Sequence, residues 1–223
     1  NTGFKLIIGR VGPLFWLLCT LKEPMPNPEI KSLLKHYNEF FKGHSTEVVS
    51  WDRGPILKVI PEFKVFVAKP GPKINLWSYC SIGASTVHHP DHGLLEFIVH
   101  SPIESPRMVE TLAMLSYYHN DHCLGFGHTV PIGEPWLDNS KCDNWLLSKP
   151  YPLGPDLEIC KHLDSHIHIT WLLPITVQEK NYKVSNGMEA LEQLFEDKGL
   201  EFSAEIERGL MIQGNQPFLA QAL

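Results

Sequence analysis

Ile30, Leu33, Leu34, Tyr37, Phe40 and Phe41 recur at the three-and-four spacing of one helical face, with polar residues between them. Asn27 supplies a cap, Pro28 a first helical residue and Gly43 a stop, so the pattern predicts a helix opening at Pro28. Strand-like runs follow at 47–51, 63–68 and 74–82. In Phe63-Lys64-Val65-Phe66-Val67 the alternation is imperfect, as a largely buried strand allows, and Pro70-Gly71-Pro72 marks a turn. Residues 94–101 (LLEFIVHS) form another strand pattern. Ser105-Pro106 then opens a second helix, whose apolar stripe is Met108, Val109, Leu112, Leu115 and Tyr118 and whose end is His119-Asn120-Asp121. Short strands are expected at 127–130 and 145–148. Residues 167–173 (IHITWLL) give the strongest strand pattern, suited to a central position, with Pro174 expected to close it. Asn186-Gly187 precedes a last helix with Met188, Leu191, Leu194 and Phe195 on one side and Gly199 as its C-cap.

The order helix, strands, helix, strands, helix predicts an α+β fold: a mixed, mostly antiparallel sheet flanked by helices. The 223 residues suffice for one core. Residues 1–24 are expected to lie outside it, because Met25 opens MPNPEIKSLLKHYNEFF, a run that resembles a natural protein start. Within them Val11 to Leu21 is an apolar run behind Lys5 and Arg10, too short to span a bilayer. If native, that run would instead suit an export signal. The core is therefore assigned to residues 25–212 and a C-terminal tail to 213–223.

The net charge of −6 argues against a nucleic-acid surface, which needs clustered Lys and Arg, and fits a protein that meets a basic partner. Cys19, Cys80, Cys123, Cys142 and Cys160 are odd in number and irregular in spacing, so reduced thiols in a cytoplasmic protein are expected, with no membrane contact.

Candidate chemistry is thin. His88, His89, His92, His119 and His122 are the residues a metal-dependent hydrolase would draw on, and His162, His166 and His168 form a third group. None lies in a helical His-Glu-x-x-His, and no Cys-x-x-Cys accompanies them. Gly125-x-Gly127 lacks the third glycine of a dinucleotide loop, and no Gly-x-Ser-x-Gly is present. Asp138/Asp143 and Asp156/Glu158 would serve as acid and base only if buried together. No cofactor and no catalytic residue is assigned.

The stretch 124–176 carries aromatics in proline-punctuated loops with acids among them. Tyrosine and tryptophan anchor interfaces, and neighbouring charges give specificity. Trp136, Asp138, Asp143, Trp145, Tyr151, Asp156 and Glu158 are accordingly the expected partner-binding residues. The competing reading places Trp136 and Trp145 in the core. Trp171, inside the strong strand, is expected to be core.

Taken in order, these segments resemble the suppressor-of-fused domain family. The resemblance rests on Leu94-Leu95-Glu96-Phe97-Ile98, the 106–118 helix, Gly127-His128-Thr129-Val130 and Pro135-Trp136. It continues through Trp145-Leu146-Leu147 with Pro150, the 167–173 strand running into Pro174-Ile175-Thr176, Gly187-Met188-Glu189-Ala190-Leu191 and Arg208. It spans about residues 28–212. The resemblance implies a sandwich-like α/β domain without catalytic activity. Larger animal relatives bind Gli-type transcription factors between two lobes. The length here is similar to the bacterial single-domain type, which resembles immunity proteins. A toxin encoded nearby is therefore the implied partner.

Overall fold

The computed structural model describes residues 28–87, 93–138, 140–163 and 165–197. Helix α1 (Pro28–Phe40) leads into strands β1 (Thr46–Ser50), β2 (Lys64–Ala68), β3 (Trp77–Ile82) and β4 (Leu94–Ser101). Helix α2 (Pro106–His122) and strands β5 (Thr129–Pro131) and β6 (Asn144–Ser148) come next. The one-turn helix α3 (Pro155–Glu158), β7 (Ile159–His162), the long β8 (Ser165–Ile175), α4 (Val177–Asn186) and α5 (Met188–Asp197) complete the described chain. The strands form one sheet in the order β1-β2-β3-β4-β8-β6-β5, with β7 also on β8. Among the described residues only β4 and β8 pair in parallel; every other pairing is antiparallel. The α+β class and the mostly antiparallel sheet are those the sequence pattern predicts.

β8 is the spine, as its density of Ile, Thr and Trp implies. One side carries β4, with Ile98 opposite Trp171. The other carries two short strands end to end: β7 against Ser165–His168 and β6 against Trp171–Ile175. Pro174 does not close the strand, contrary to expectation. The Asp143 N–H donates to the Ile175 carbonyl (3.2 Å), so Ile175 turns its backbone groups toward β6. Pro174, one residue away, turns its own to the opposite side, beyond the last residue of β8 that pairs with β4. Its missing N–H therefore costs no ladder bond.

The two long helices cover opposite faces of the sheet. Phe66, Cys80 and Ile98 are register partners and share one face. Tyr37 of α1 and Phe41, just past its end, lay their rings on Phe66, with centroids 5.5 and 5.8 Å away. Phe97 points to the other face, where His119 of α2 meets it edge-on at 5.5 Å. The α1 pattern is thereby explained: Ile30, Leu33, Tyr37, Phe40 and Phe41 are all buried. On α2 the stripe holds for Met108, Val109, Leu112 and Leu115, but Tyr118 is exposed and Ser116 and His119 are buried instead.

Glu96 is fully buried in β4, and its carboxylate fastens the turn after β3. One oxygen accepts from the Gly83 N–H (2.8 Å), the Ser85 N–H (3.1 Å) and the Ser85 hydroxyl (2.7 Å). The other accepts from the Ser81 hydroxyl, whose oxygen also receives the Phe97 N–H (2.8 Å). Four donors on one buried acid satisfy groups that sheet pairing leaves over at this point.

Two elements escape the periodicity. Helix α4 is polar, but Thr176 caps it: its hydroxyl accepts the Glu179 N–H (3.2 Å), while the Glu179 carboxylate accepts the Thr176 N–H (2.8 Å). Strand β7 is four residues long, with only Cys160 buried. Cys80, Cys142 and Cys160 are buried free thiols and Cys123 is half-buried, as expected of them, while Cys19 lies outside the described residues. The proposed extension at 1–24, the tail at 213–223, Gly199 and Arg208 also lie outside.

Candidate functional site

The seven residues expected at a partner surface divide by environment. Trp136 and Trp145 are 1% and 2% exposed, so the core reading of both is the one this fold realises. Asp138, Tyr151 and Asp156 are exposed. Asp143 is half-buried and accepts from the Asn144 side-chain amide (2.6 Å). Glu158 is half-buried, with Lys149 at 3.4 Å. Asp138 and Asp143 precede β6, whereas Tyr151, Asp156 and Glu158 follow it.

The histidines do not gather. His119 is buried and accepts the Leu124 N–H on Nδ1 (3.0 Å), while His122 is exposed and stacked on Tyr118 at 3.9 Å. His162 bonds Ser32 (3.1 Å). His88, His89 and His92 lie outside the described residues. Among the described residues, no group of three His, Cys, Asp or Glu is placed to hold a metal ion. His100 is fully buried beside Ser78 (2.9 Å), and burial pushes its pKa down to about 3. Burial raises the Glu96 carboxyl above its ordinary value, against the lowering by the Ser81, Ser85 and Gly83 donors.

A concave surface does exist, in a place the sequence does not flag. It lies between the outer side of α2, the segment 51–56 after β1, and the residues 130–132 of the β5 edge. Its volume is about 740 Å3, within the roughly 300–1,000 Å3 usual for binding clefts. Of its lining residues, Ile56, Ala113, Leu115 and Trp145 are buried in the fold. Trp51, Met114, Tyr117, Tyr118, Val130 and Ile132 also line it. Gly54, at φ +82°, turns the 51–56 segment so that Pro55 starts a one-turn helix and Ile56 drops inward. The Arg53 guanidinium lies 4.8 Å over the Trp51 ring.

A second basin of about 610 Å3 adjoins the first and shares Trp51, Arg53, Glu110, Thr111, Met114 and Ile132 with it. It adds Asp52, Arg107 and Glu134. Arg107 is committed: it pairs with Glu134 (3.0 Å) and donates to the Pro135 carbonyl (2.8 Å), tying the start of α2 to the 133–135 loop. Met114 and Tyr118 are four apart on α2, and the fold leaves them 65% and 40% exposed, although the sequence pattern counted Tyr118 in the buried stripe. Among the described residues, no helix is long and apolar enough to cross a membrane.

The comparisons agree with this architecture. A family model described as "Suppressor of fused protein (SUFU)" matches residues 60–208, well over half of the chain. A suppressor of fused homolog from Neisseria gonorrhoeae is 33% identical, over 78% of this chain and 91% of that one, with a TM-score of 0.69. A chain of the Sufu–Fu complex matches at 12% identity and TM-score 0.63, over 88% of this chain and 95% of that one. Drosophila Suppressor of Fused matches at 14% identity and TM-score 0.51, over 76% of this chain and 47% of that one, so this chain spans about half its length. These last two likenesses concern the fold alone. No curated protein matches. On the family match and the Neisseria relative together, this chain belongs to the suppressor of fused family.

Proposed function

We propose that this chain is a non-enzymatic protein-binding domain of the bacterial type, acting in the cytoplasm as an immunity protein that neutralises a toxin encoded nearby. The observation that carries the reading is the aromatic groove along α2, where Met114 and Tyr118 hold apolar surface in solvent beside Trp51. Exposed apolar surface of that kind is retained where a partner covers it. The net charge of −6 supports a basic partner, drawn in by long-range attraction. The Sufu–Fu complex supports the same reading from another protein: a chain of this fold is found there in a protein complex. The exposed loop residues Asp138, Tyr151 and Asp156 would extend the contact beyond the groove.

The test is neutralisation. The product of each neighbouring gene is expressed in a heterologous host with and without this chain. A neighbour that arrests growth alone and is silenced by stoichiometric co-expression supports the proposal. Arrest that persists at equal expression, for every toxic neighbour, contradicts it.

A further inference from the structure

The groove along α2 has a direction, and its two ends differ chemically. Arg107, Glu110, Met114 and Tyr118 follow one another at three- and four-residue steps on one side of the helix and line the two joined basins. From Arg107 to Tyr118 is about three helical turns, roughly 16 Å. A trough of that length accommodates about five residues of extended polypeptide at roughly 3.3 Å each. The end at Met114 and Tyr118 is apolar and aromatic. The other end is acidic in balance: Arg107 is neutralised by Glu134, whereas Glu110 and Asp52 make no ion pair among the described residues. The Arg53 guanidinium sits over the Trp51 ring at 4.8 Å, so its charge is partly engaged by the ring.

Resting on the protein-binding reading above, we propose that this groove takes a linear segment of the partner whose bulky apolar side chain enters beside Met114 and Trp145, and whose Lys or Arg reaches Glu110. The spacing follows from the helix. Glu110 is one turn from Met114 and two from Tyr118, about 6 and 12 Å, which an extended chain covers in roughly two to four residues. A cation placed there meets the exposed Glu110 carboxylate, which makes no ion pair among the described residues, at the edge of an apolar wall. A second copy of this chain is the poorer fit, because two surfaces of net charge −6 would repel each other.

The experiment selects binders from a displayed library of random heptapeptides with the full chain immobilised, then titrates synthetic versions by fluorescence anisotropy. The expected peptides carry Leu, Phe, Trp or Met with Lys or Arg two to four residues away. Met114→Asp weakens them at least tenfold. Glu110→Lys reverses the preference, so that peptides with Asp or Glu at the former cationic position bind best. Val184→Ser, on exposed α4, leaves binding unchanged. Selected peptides without a cation, peptides indifferent to Met114→Asp, or an empty selection overturn the proposal. So does a wild-type dimer that Met114→Asp renders monomeric. The two readings fail separately: a partner complex whose Kd is untouched by Met114→Asp removes the groove from the account and leaves protein binding standing.

Discussion

Trp136 and Trp145 meet edge to face, with ring centroids 6.0 Å apart and planes at 72°. The contact fastens the loop before β6 to the strand itself, and within that loop the Trp136 backbone N–H donates to the Cys142 carbonyl (3.0 Å). Aromatic pairs in this geometry add to the burial of each ring.

The first prediction concerns this pair. Trp136→Ala is expected to cost about 3–5 kcal/mol, the range for deleting a buried aromatic. Trp136→Phe is expected to cost much less, because the indole N–H of Trp136 has no hydrogen-bond partner among the described residues. Urea denaturation followed by circular dichroism checks both. Equal stability of wild type and Trp136→Ala would contradict the buried placement.

Glu96 gives the second. Glu96→Ala strands the Gly83 and Ser85 N–H groups and is expected to cost at least 3 kcal/mol, roughly the scale of one or two unmet buried donors. Glu96→Gln keeps an acceptor for those donors and an N–H for the Ser81 oxygen, so it folds. The two proteins differ in their pH dependence. Burial raises the folded-state pKa of Glu96 above the ordinary 4.5, so its contribution is greatest below 4.5 and is lost as pH rises through the folded value. Glu96→Gln lacks that loss. Its stability relative to wild type is expected to climb as pH rises from 4.5, and a flat difference would contradict the assignment.

His100 has the opposite sign. Its folded pKa is depressed to about 3 from 6.5, so the unfolded chain takes up a proton first as pH falls. Stability declines from pH 6.5 toward 3, by at most about 1.4 kcal/mol per pH unit for one proton. His100→Gln is expected to flatten that decline in denaturation curves taken between pH 6.5 and 5. An unchanged slope would show that other groups dominate.

The cap of α4 supplies a fourth prediction. Thr176→Ala removes the acceptor for the Glu179 N–H and is expected to cost about 1 kcal/mol. Thr176→Ser, which retains the hydroxyl, is expected to lie near wild type. Hydrogen exchange of the α4 amides reads the local effect.

Much of the fold was legible because long apolar patterns report burial directly. Residues 94–101 form the strand expected of them, and Pro28 opens the first helix as the pattern requires. Failures came where one interaction outweighs the pattern. Pro174 stays in β8 because its absent N–H falls on the unpaired side. Helix α4 has no apolar stripe, yet Thr176-x-x-Glu179 is a capping signature readable in the sequence. The groove was invisible for a different reason: its walls come from the 51–56 segment, α2 and β5, which only the folded sheet brings together. Tryptophans in proline-rich loops looked accessible by neighbourhood, but neighbourhood in sequence does not decide which way a ring turns.

The central claim is that this chain works by stoichiometric association with another protein. Isothermal titration calorimetry of the pure chain against the toxic neighbouring-gene product tests it most directly. The account predicts a saturable one-to-one complex of submicromolar Kd that weakens as salt is raised, in keeping with the net charge of −6. Absence of binding heat at any temperature, with a neighbour that this chain nonetheless silences in cells, would contradict it.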